Sequence, residues 1–354
     1  MQSFLIVKTS AIGDVIQSFP VVSYLRDRFP DARIDWIIEK GCYDLISAHP
    51  LLNHIYSVDT KHWRKSLYCP QTWSSIREFY RDLAKHRYDA VFDLQGNSKS
   101  ALITLMAKAH DKVGFGFGSV PEKPNVLATT KRFAVPDNVN ARFRYLSLVQ
   151  SYFQDASPCE EKKVLLNIDQ TGRERIEKIL SHPYLDKKNL YMVSFGSRWP
   201  NKRFNEQTLI EFIKLIDLQR RPGWIFIWGN EEERKLAEDL QSVFFERSMA
   251  VGNLSLPLWQ VLMSKMQLVI ATDSAGLHLA GAAGVPSFSV FGPSSAQVYK
   301  PMGDKHVAFQ GNCPYGIRFE KRCPKLRTCE TGACIRSLIA NDLFAEFTKR
   351  VVSL

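Results

Sequence analysis

No stretch of the 354 residues approaches the ~20 continuous apolar positions that a membrane-crossing helix requires, so none is expected. Met1-Gln2-Ser3-Phe4 leads straight into an apolar strand, and no signal peptide is expected either. The chain lacks the GxGxxG fingerprint of dinucleotide sites and the GxxxxGKS/T pattern of a P-loop. Two common glycine-rich phosphate cradles are therefore excluded. No zinc-finger or RNA-binding signature accompanies the net charge of +11, so nucleic acid is not an expected partner. That charge suits an anionic membrane face or a phosphorylated glycolipid instead. Internal repeats and low-complexity tracts are also absent.

An apolar content of 45% and a charged content of 23% are ordinary for a globular chain, and the length suffices for two domains with separate cores. Strand-like runs alternate with helical patterns in two halves. In the first half the strands fall at 4–7, 34–38, 54–58 and 90–94, with a further short one beginning near Val113. Helical patterns lie at 15–29, 41–48, 74–86 and 99–109. In the second half strands fall at 191–194, 224–228, 268–271 and 287–291, with helices at 206–219, 231–245, 256–265 and 276–284. The polar region 155–186, with a helical stretch at 171–180, joins them. Alternation of this kind predicts an α/β fold of two doubly wound domains facing a cleft.

The segment Val269–Ser294 is the most informative. It reads as strand, turn, small-residue helix and strand, one βαβ unit of a parallel sheet. Ligands of such sheets bind beyond the carboxyl ends of the strands, where Asp273, Ser274 and Ala275 fall. The amides of Ser274, Ala275 and Gly276 would open the helix toward an anion. Asp273 is itself negative and suits sugar hydroxyls. Capping of the helix by Asp273 and Ser274 accounts for the same pattern equally well. At the other end of the chain, Lys8 to Asp14 follows the first strand. A carboxylate there, Asp14, suits a general base, and it equally suits a residue of the first helical turn.

KTSAIGD at the N-terminus, WRK at 63–65, YDAVFDLQGNSKSA at 88–101, WGNEEER at 228–234, TDSAGLHLAGAAGVP and VFGPS occur in that order. Together they resemble the ADP-heptose:lipopolysaccharide heptosyltransferases, glycosyltransferase family 9, along nearly the whole chain. WRK and DLQGNSKS look most like the first heptosyltransferase, which adds heptose to Kdo on lipid A. The resemblance implies the GT-B architecture, two doubly wound Rossmann-like domains. Residues 1–165 would form the acceptor domain and 166–336 the nucleotide-sugar domain, with a C-terminal helix in 337–354 packing back on the first. It also implies ADP-heptose as donor, Kdo-lipid A as acceptor, action at the cytoplasmic face of the inner membrane, and inverting chemistry that needs no metal. No DxD-type metal motif is present.

Under that resemblance Asp14 is the base. Ser197, Lys202, Glu231, Asp273, Ser274, Ala275, Gly276 and His278 hold the donor: Lys202, Ser197 and the amides the diphosphate, Glu231 the ribose, Asp273 the heptose hydroxyls. Lys61, Arg64, Lys65 and Lys99 would meet the carboxylate and phosphates of the acceptor. The apolar neighbours Leu67, Tyr68 and Trp73 belong either near a membrane surface or in the core. Four of the seven cysteines, Cys313, Cys323, Cys329 and Cys334, crowd one segment, where four thiolates would suit a structural Zn²⁺ and reduced thiols in a basic loop are the alternative. A cysteine-bearing tail is more reminiscent of second heptosyltransferases, which add heptose to heptose. A GT-B sugar-nucleotide enzyme of other chemistry, such as an epimerase, and a non-catalytic sugar-nucleotide or lipid-binding protein remain as further alternatives.

Overall fold

A computed structural model describes residues 1–158, 162–185, 189–197 and 199–351. Arg198 and parts of the expected 155–186 join lie outside the described residues. The chain divides into two compact units, Met1–Lys162 and Lys163 onward.

The first unit is built on a six-stranded sheet, in the order β3-β2-β1-β4-β5-β6, with every pairing parallel. The strands are β1 (Ser3–Val7), β2 (Arg33–Glu39), β3 (His54–Val58), β4 (Arg87–Asp93), β5 (Lys108–Phe115) and β6 (Lys131–Phe133). The second unit repeats the plan with β7 (Leu190–Ser194), β8 (Gly223–Trp228), β9 (Ser248–Gly252), β10 (Leu268–Thr272), β11 (Ser287–Phe291) and β12 (His306–Gln310), ordered β12-β11-β10-β7-β8-β9. In each sheet the chain starts at the centre, winds outward, then crosses back to build the other side. The order of winding reverses between β1 and β4 and between β7 and β10. At such a switch point neighbouring loops leave in opposite directions and open a crevice at the carboxyl ends of the strands.

The central strands are apolar runs buried on both faces, as helix-covered parallel sheets demand; all five residues of β7, β10 and β11 are buried. Serines inside β11 are tolerated because they are paired: Ser287 Oγ lies 2.9 Å from His306 Nδ1, and Ser289 Oγ donates to the Val307 carbonyl at 3.1 Å. The helix Ala275–Ala283 consists of small residues because it lies tight on the sheet. A Cβ at Gly276 would stand 2.3 Å from Ser194 Oγ, so only glycine fits.

Several expectations shift. The single helix expected at 15–29 is two, Ile12–Ile16 and Phe19–Arg28, with Pro20 in the first turn of the second. Proline has no N–H to give an interior turn, and a new first turn needs none. Strands β6, β9 and β12 and the helices Thr60–Lys65 and Ala141–Tyr152 were not read from the sequence. The C-terminal helix spans Ala340–Arg350. Its Leu343 and Phe347 join the core of the second unit, where Phe347 meets the rings of Phe288 at 5.4 Å and Phe212 at 6.0 Å. Phenylalanines at its inner positions find an aromatic cavity within their own unit. Among the described residues no helix is long and apolar enough to cross a membrane.

His49 of the first unit is buried edge-on against Phe19 at 4.7 Å, and its Nδ1 accepts the Leu51 N–H at 3.3 Å. Burial pushes its pKa down to about 3, against about 6.5 in an unfolded chain. Because the folded value is the lower one, this stabilisation is complete above about pH 6.5 and is lost as the pH falls toward the folded value. We expect urea midpoints to fall between pH 6.5 and pH 5, and His49→Leu to flatten that slope by up to about 1.4 kcal/mol per pH unit. An unchanged slope in the variant would exclude His49 as the group responsible.

Candidate functional site

Both switch points carry the predicted residues. In the first unit the loop after β1 is held from three sides. Trp36 Nε1 donates to the Lys8 carbonyl at 3.0 Å, the Glu39 N–H donates to the Thr9 carbonyl at 3.2 Å, and Gln95 Oε1 accepts the N–H groups of Thr9 and Ser10, each at 3.2 Å. Gln95 sits just past β4, so the crevice is bridged by one side chain. Asp14, half-buried in the short helix Ile12–Ile16, turns back to the Ala11 N–H at 3.5 Å. Lys8 Nζ lies over the Tyr145 ring at 4.7 Å. Burial raises the Tyr145 hydroxyl, the Lys8 charge opposes the rise, and the Asp14 charge adds to it. A cation, a phenol and a carboxylate thus share one corner. Lys8, Gln95 and Tyr145 were not identified from the sequence; Tyr145 arrives on a helix that the sequence pattern did not reveal.

Gln95 is itself anchored by Asp93, fully buried at the end of β4. Asp93 Oδ1 accepts the amides of Gln95 (3.0 Å) and Gly96 (2.9 Å). Its Oδ2 accepts Ser100 Oγ (2.8 Å), Thr104 Oγ1 (3.2 Å) and Asn125 Nδ2 (2.6 Å). Burial pushes this carboxyl up, and the Gly96 amide leads the bonds that oppose the rise. Gly96 takes φ +70°, and a Cβ there would meet Pro121 at 2.5 Å. The basic residues stand on two helices, one following β3 and one following β4. Lys61, Arg64 and Lys65 are exposed on the helix Thr60–Lys65, which Asp59 caps through the His62 N–H at 3.1 Å and which Thr60 ties to buried Glu39. Lys99 is exposed in the first turn of the helix Ser98–Met106.

In the second unit Asp273 ends β10 and is only 9% exposed. Its Oδ2 accepts Lys202 Nζ and Ser294 Oγ, and its Oδ1 lies 3.7 Å from His278 Nε2. Burial alone would raise this carboxyl; His278 and Lys202 outweigh it and hold the pKa well below the usual range. Capping is therefore not the role of Asp273, which faces the loops after β7 and β11. Ser274 does not cap either: it is the N-cap residue of Ala275–Ala283, yet its buried hydroxyl takes no helix amide and has no hydrogen-bond partner among the described residues. The first amides of that helix, those of Ala275 and Gly276 among them, have no intrahelical acceptor. Ser197 is buried in the loop after β7, and His278 is buried on the first turns of the helix. A lysine, open amides and an idle hydroxyl beside an ionised carboxylate form an arrangement that can take a phosphate and a sugar hydroxyl together.

Glu231 departs from this group. Its side chain is 82% exposed and pairs with Arg234 at 3.3 Å. Glu233, two residues on, instead turns inward to accept the Gly229 N–H at 2.8 Å, beside Gly196 of the β7 loop. One residue along a helix turns a side chain by about 100°, a choice that a run of three glutamates conceals. The four cysteines do converge on one pocket, and Cys334 is pushed up to about 11 by burial first and then by the other three thiols. The Gly332 N–H donates to Cys329 Sγ at 3.4 Å. Among the described residues, however, no group of three or more His, Cys, Asp or Glu is arranged to hold a metal ion. The four thiols thus neighbour one another in a single pocket.

Asp93→Ala would strand two amides and three side-chain donors at the first switch point. We expect a loss of about 3 kcal/mol, read as a lower denaturant midpoint. A change below about 0.5 kcal/mol would contradict the anchoring role.

The sequence profile of glycosyltransferase family 9 (heptosyltransferase) matches residues 76–328. The lipopolysaccharide heptosyltransferase 1 of Campylobacter coli is 28% identical over 83% of this chain and 86% of its own length. The Escherichia coli heptosyltransferase WaaC, solved with ADP, superposes with a TM-score of 0.77 at 20% identity, over 99% of this chain and 100% of that one. A family 9 glycosyltransferase from Veillonella parvula reaches 0.81 at 17% identity, over 100% and 98%. These likenesses show that the two doubly wound units are of the GT-B class. A profile match spanning well over half of the chain settles the rest: the protein belongs to glycosyltransferase family 9, the heptosyltransferases, and is a glycosyltransferase.

Proposed function

We propose that the protein moves heptose from ADP-heptose to the Kdo region of lipid A in lipopolysaccharide core synthesis, at the cytoplasmic face of the inner membrane, by an inverting reaction that needs no metal. The observation that carries the donor half is the unpartnered Ser274 hydroxyl at an uncapped helix start, beside Lys202 and Asp273. Before the donor binds, Lys202 is paired with Asp273. A diphosphate offers the lysine a second anion, and heptose hydroxyls offer Asp273 new donors. As ADP departs, Lys202, Ser197 and the amides of Ser274, Ala275 and Gly276 stabilise the charge growing on the diphosphate. His278 keeps Asp273 ionised, while Glu231 has an exposed carboxylate within reach of a ribose.

Asp14 takes the proton from the acceptor hydroxyl, whose oxygen attacks the anomeric carbon from the face opposite ADP. The bond to the diphosphate oxygen breaks through an oxocarbenium-like state, and the configuration inverts. Lys61, Arg64, Lys65 and Lys99 hold the acceptor's carboxylate and phosphates. Relatives named lipopolysaccharide heptosyltransferase 1 support the first-step reading over the second.

Transfer from ADP-heptose to Kdo-lipid A in EDTA, followed by mass spectrometry, should add one heptose. Gain only on an acceptor already carrying heptose would move the enzyme to the second step. Asp14→Ala should lower kcat by roughly 10²–10⁴-fold with the fold intact, and Lys202→Ala by roughly 10²-fold. Transfer by Asp14→Ala at the wild-type rate would remove Asp14 as the base.

A further inference from the structure

Leu67, Tyr68 and Trp73, either core or surface by sequence, are surface. Tyr68 is 100% exposed, Trp73 59% and Leu67 46%. They lie where the helix Thr60–Lys65 passes into the helix Pro70–Leu83. The second helix buries Thr72, Phe79 and Leu83. Its other side presents Trp73, Arg77, Tyr80 and Arg81, whose spacing places them on one exposed stripe. Trp73 Nε1 donates to the Leu67 carbonyl at 2.9 Å, which fixes the indole at the turn with its ring outward. Across residues 60–81 the cations are Lys61, Arg64, Lys65, Arg77 and Arg81, and the one anion is Glu78.

We propose that this rim seats the protein on an anionic bilayer surface, with Leu67, Tyr68 and Trp73 entering the headgroup layer and Arg77 and Arg81 meeting lipid phosphates. Amphipathic rings are at home at that depth, where one end is apolar and the other wet. Exposed aromatic residues alone would suit many partners; the excess of cations interleaved with them selects a negatively charged surface, each adding roughly fivefold to binding. The inference rests on the proposed function, whose acceptor is a membrane glycolipid, and goes beyond it by naming the surface that reaches the membrane. Lys61, Arg64 and Lys65, assigned to that acceptor, flank the same rim.

The test is flotation of the full chain with vesicles of phosphatidylcholine, alone and mixed with phosphatidylglycerol. The expected result is binding to the mixed vesicles only, released by salt. Tyr68→Ser/Trp73→Ser and, separately, Arg77→Glu/Arg81→Glu should each weaken it roughly tenfold or more. Circular dichroism, and transfer to an acceptor stripped of its acyl chains, should stay at wild-type values in both. Tyr68→Ser alone, which disturbs no hydrogen bond of the turn, should lower binding in the same direction. Wild-type protein that ignores mixed vesicles, or variants that bind as it does, would overturn the proposal. The transfer assay scores the enzyme separately: heptose transfer without vesicle binding defeats the surface assignment alone, and binding through the rim without transfer defeats the function alone.

Discussion

A carboxylate stripped of water is costly unless a cation and hydrogen-bond donors take the water's place, and the second unit is arranged around one such group. Asp273 draws Lys202 from the loop after β7 and Ser294 from the loop after β11 onto the end of β10. Removing Lys202 would take the paired cation from a buried carboxylate, a loss of about 3–5 kcal/mol. The same pairing holds Lys202 inward. The neighbouring backbone follows from it: Gly276 must lack a side chain for its helix to reach Ser194, and that close approach aims the uncapped amides at the space beside Lys202.

The first unit meets the same demand differently. Asp93 is buried without a cation and is held by five neutral donors, which makes it a structural knot. Its effect reaches the chemistry through Gln95, which receives two amides of the Asp93 corner's neighbouring loop and so fixes the backbone leading to Asp14. Asp14, by contrast, is half-buried in a short helix, where it turns back to the Ala11 N–H at 3.5 Å. The aspartate that ends β4 and the one in the helix after β1 thus differ in burial and in partners.

Alternating apolar runs and helical periodicity identified the α/β class and most of the central strands. The reason is local: strands buried on both faces must be apolar throughout, and the helices covering them must be apolar on one side. Edge strands β6, β9 and β12 escaped because an edge is less buried and its composition less constrained. Asp14, Lys202, Asp273 and Ser274 were legible as candidates because ligand sites of doubly wound sheets fall in the segments that follow strand ends, and the motifs that carry the resemblance fall there too.

What the tertiary structure alone decided was partnership. Three glutamates in a row, Glu231 to Glu233, are equivalent as text, and helix phase turned Glu233 inward and left Glu231 in water. Four cysteines spread over one segment come to line a single pocket, where Cys329 takes the Gly332 amide and burial raises the Cys334 thiol. Whether Ser274 caps its helix was decided only once its hydroxyl was seen to take no amide among the described residues. Tyr145 met Lys8 and Asp14 across more than a hundred residues. Sequence by itself determined the elements and the kind of chemistry, since both follow from residue type and short-range spacing. Which polar group each residue met was set by packing between segments remote in the chain, where burial and distance assign the hydrogen bonds.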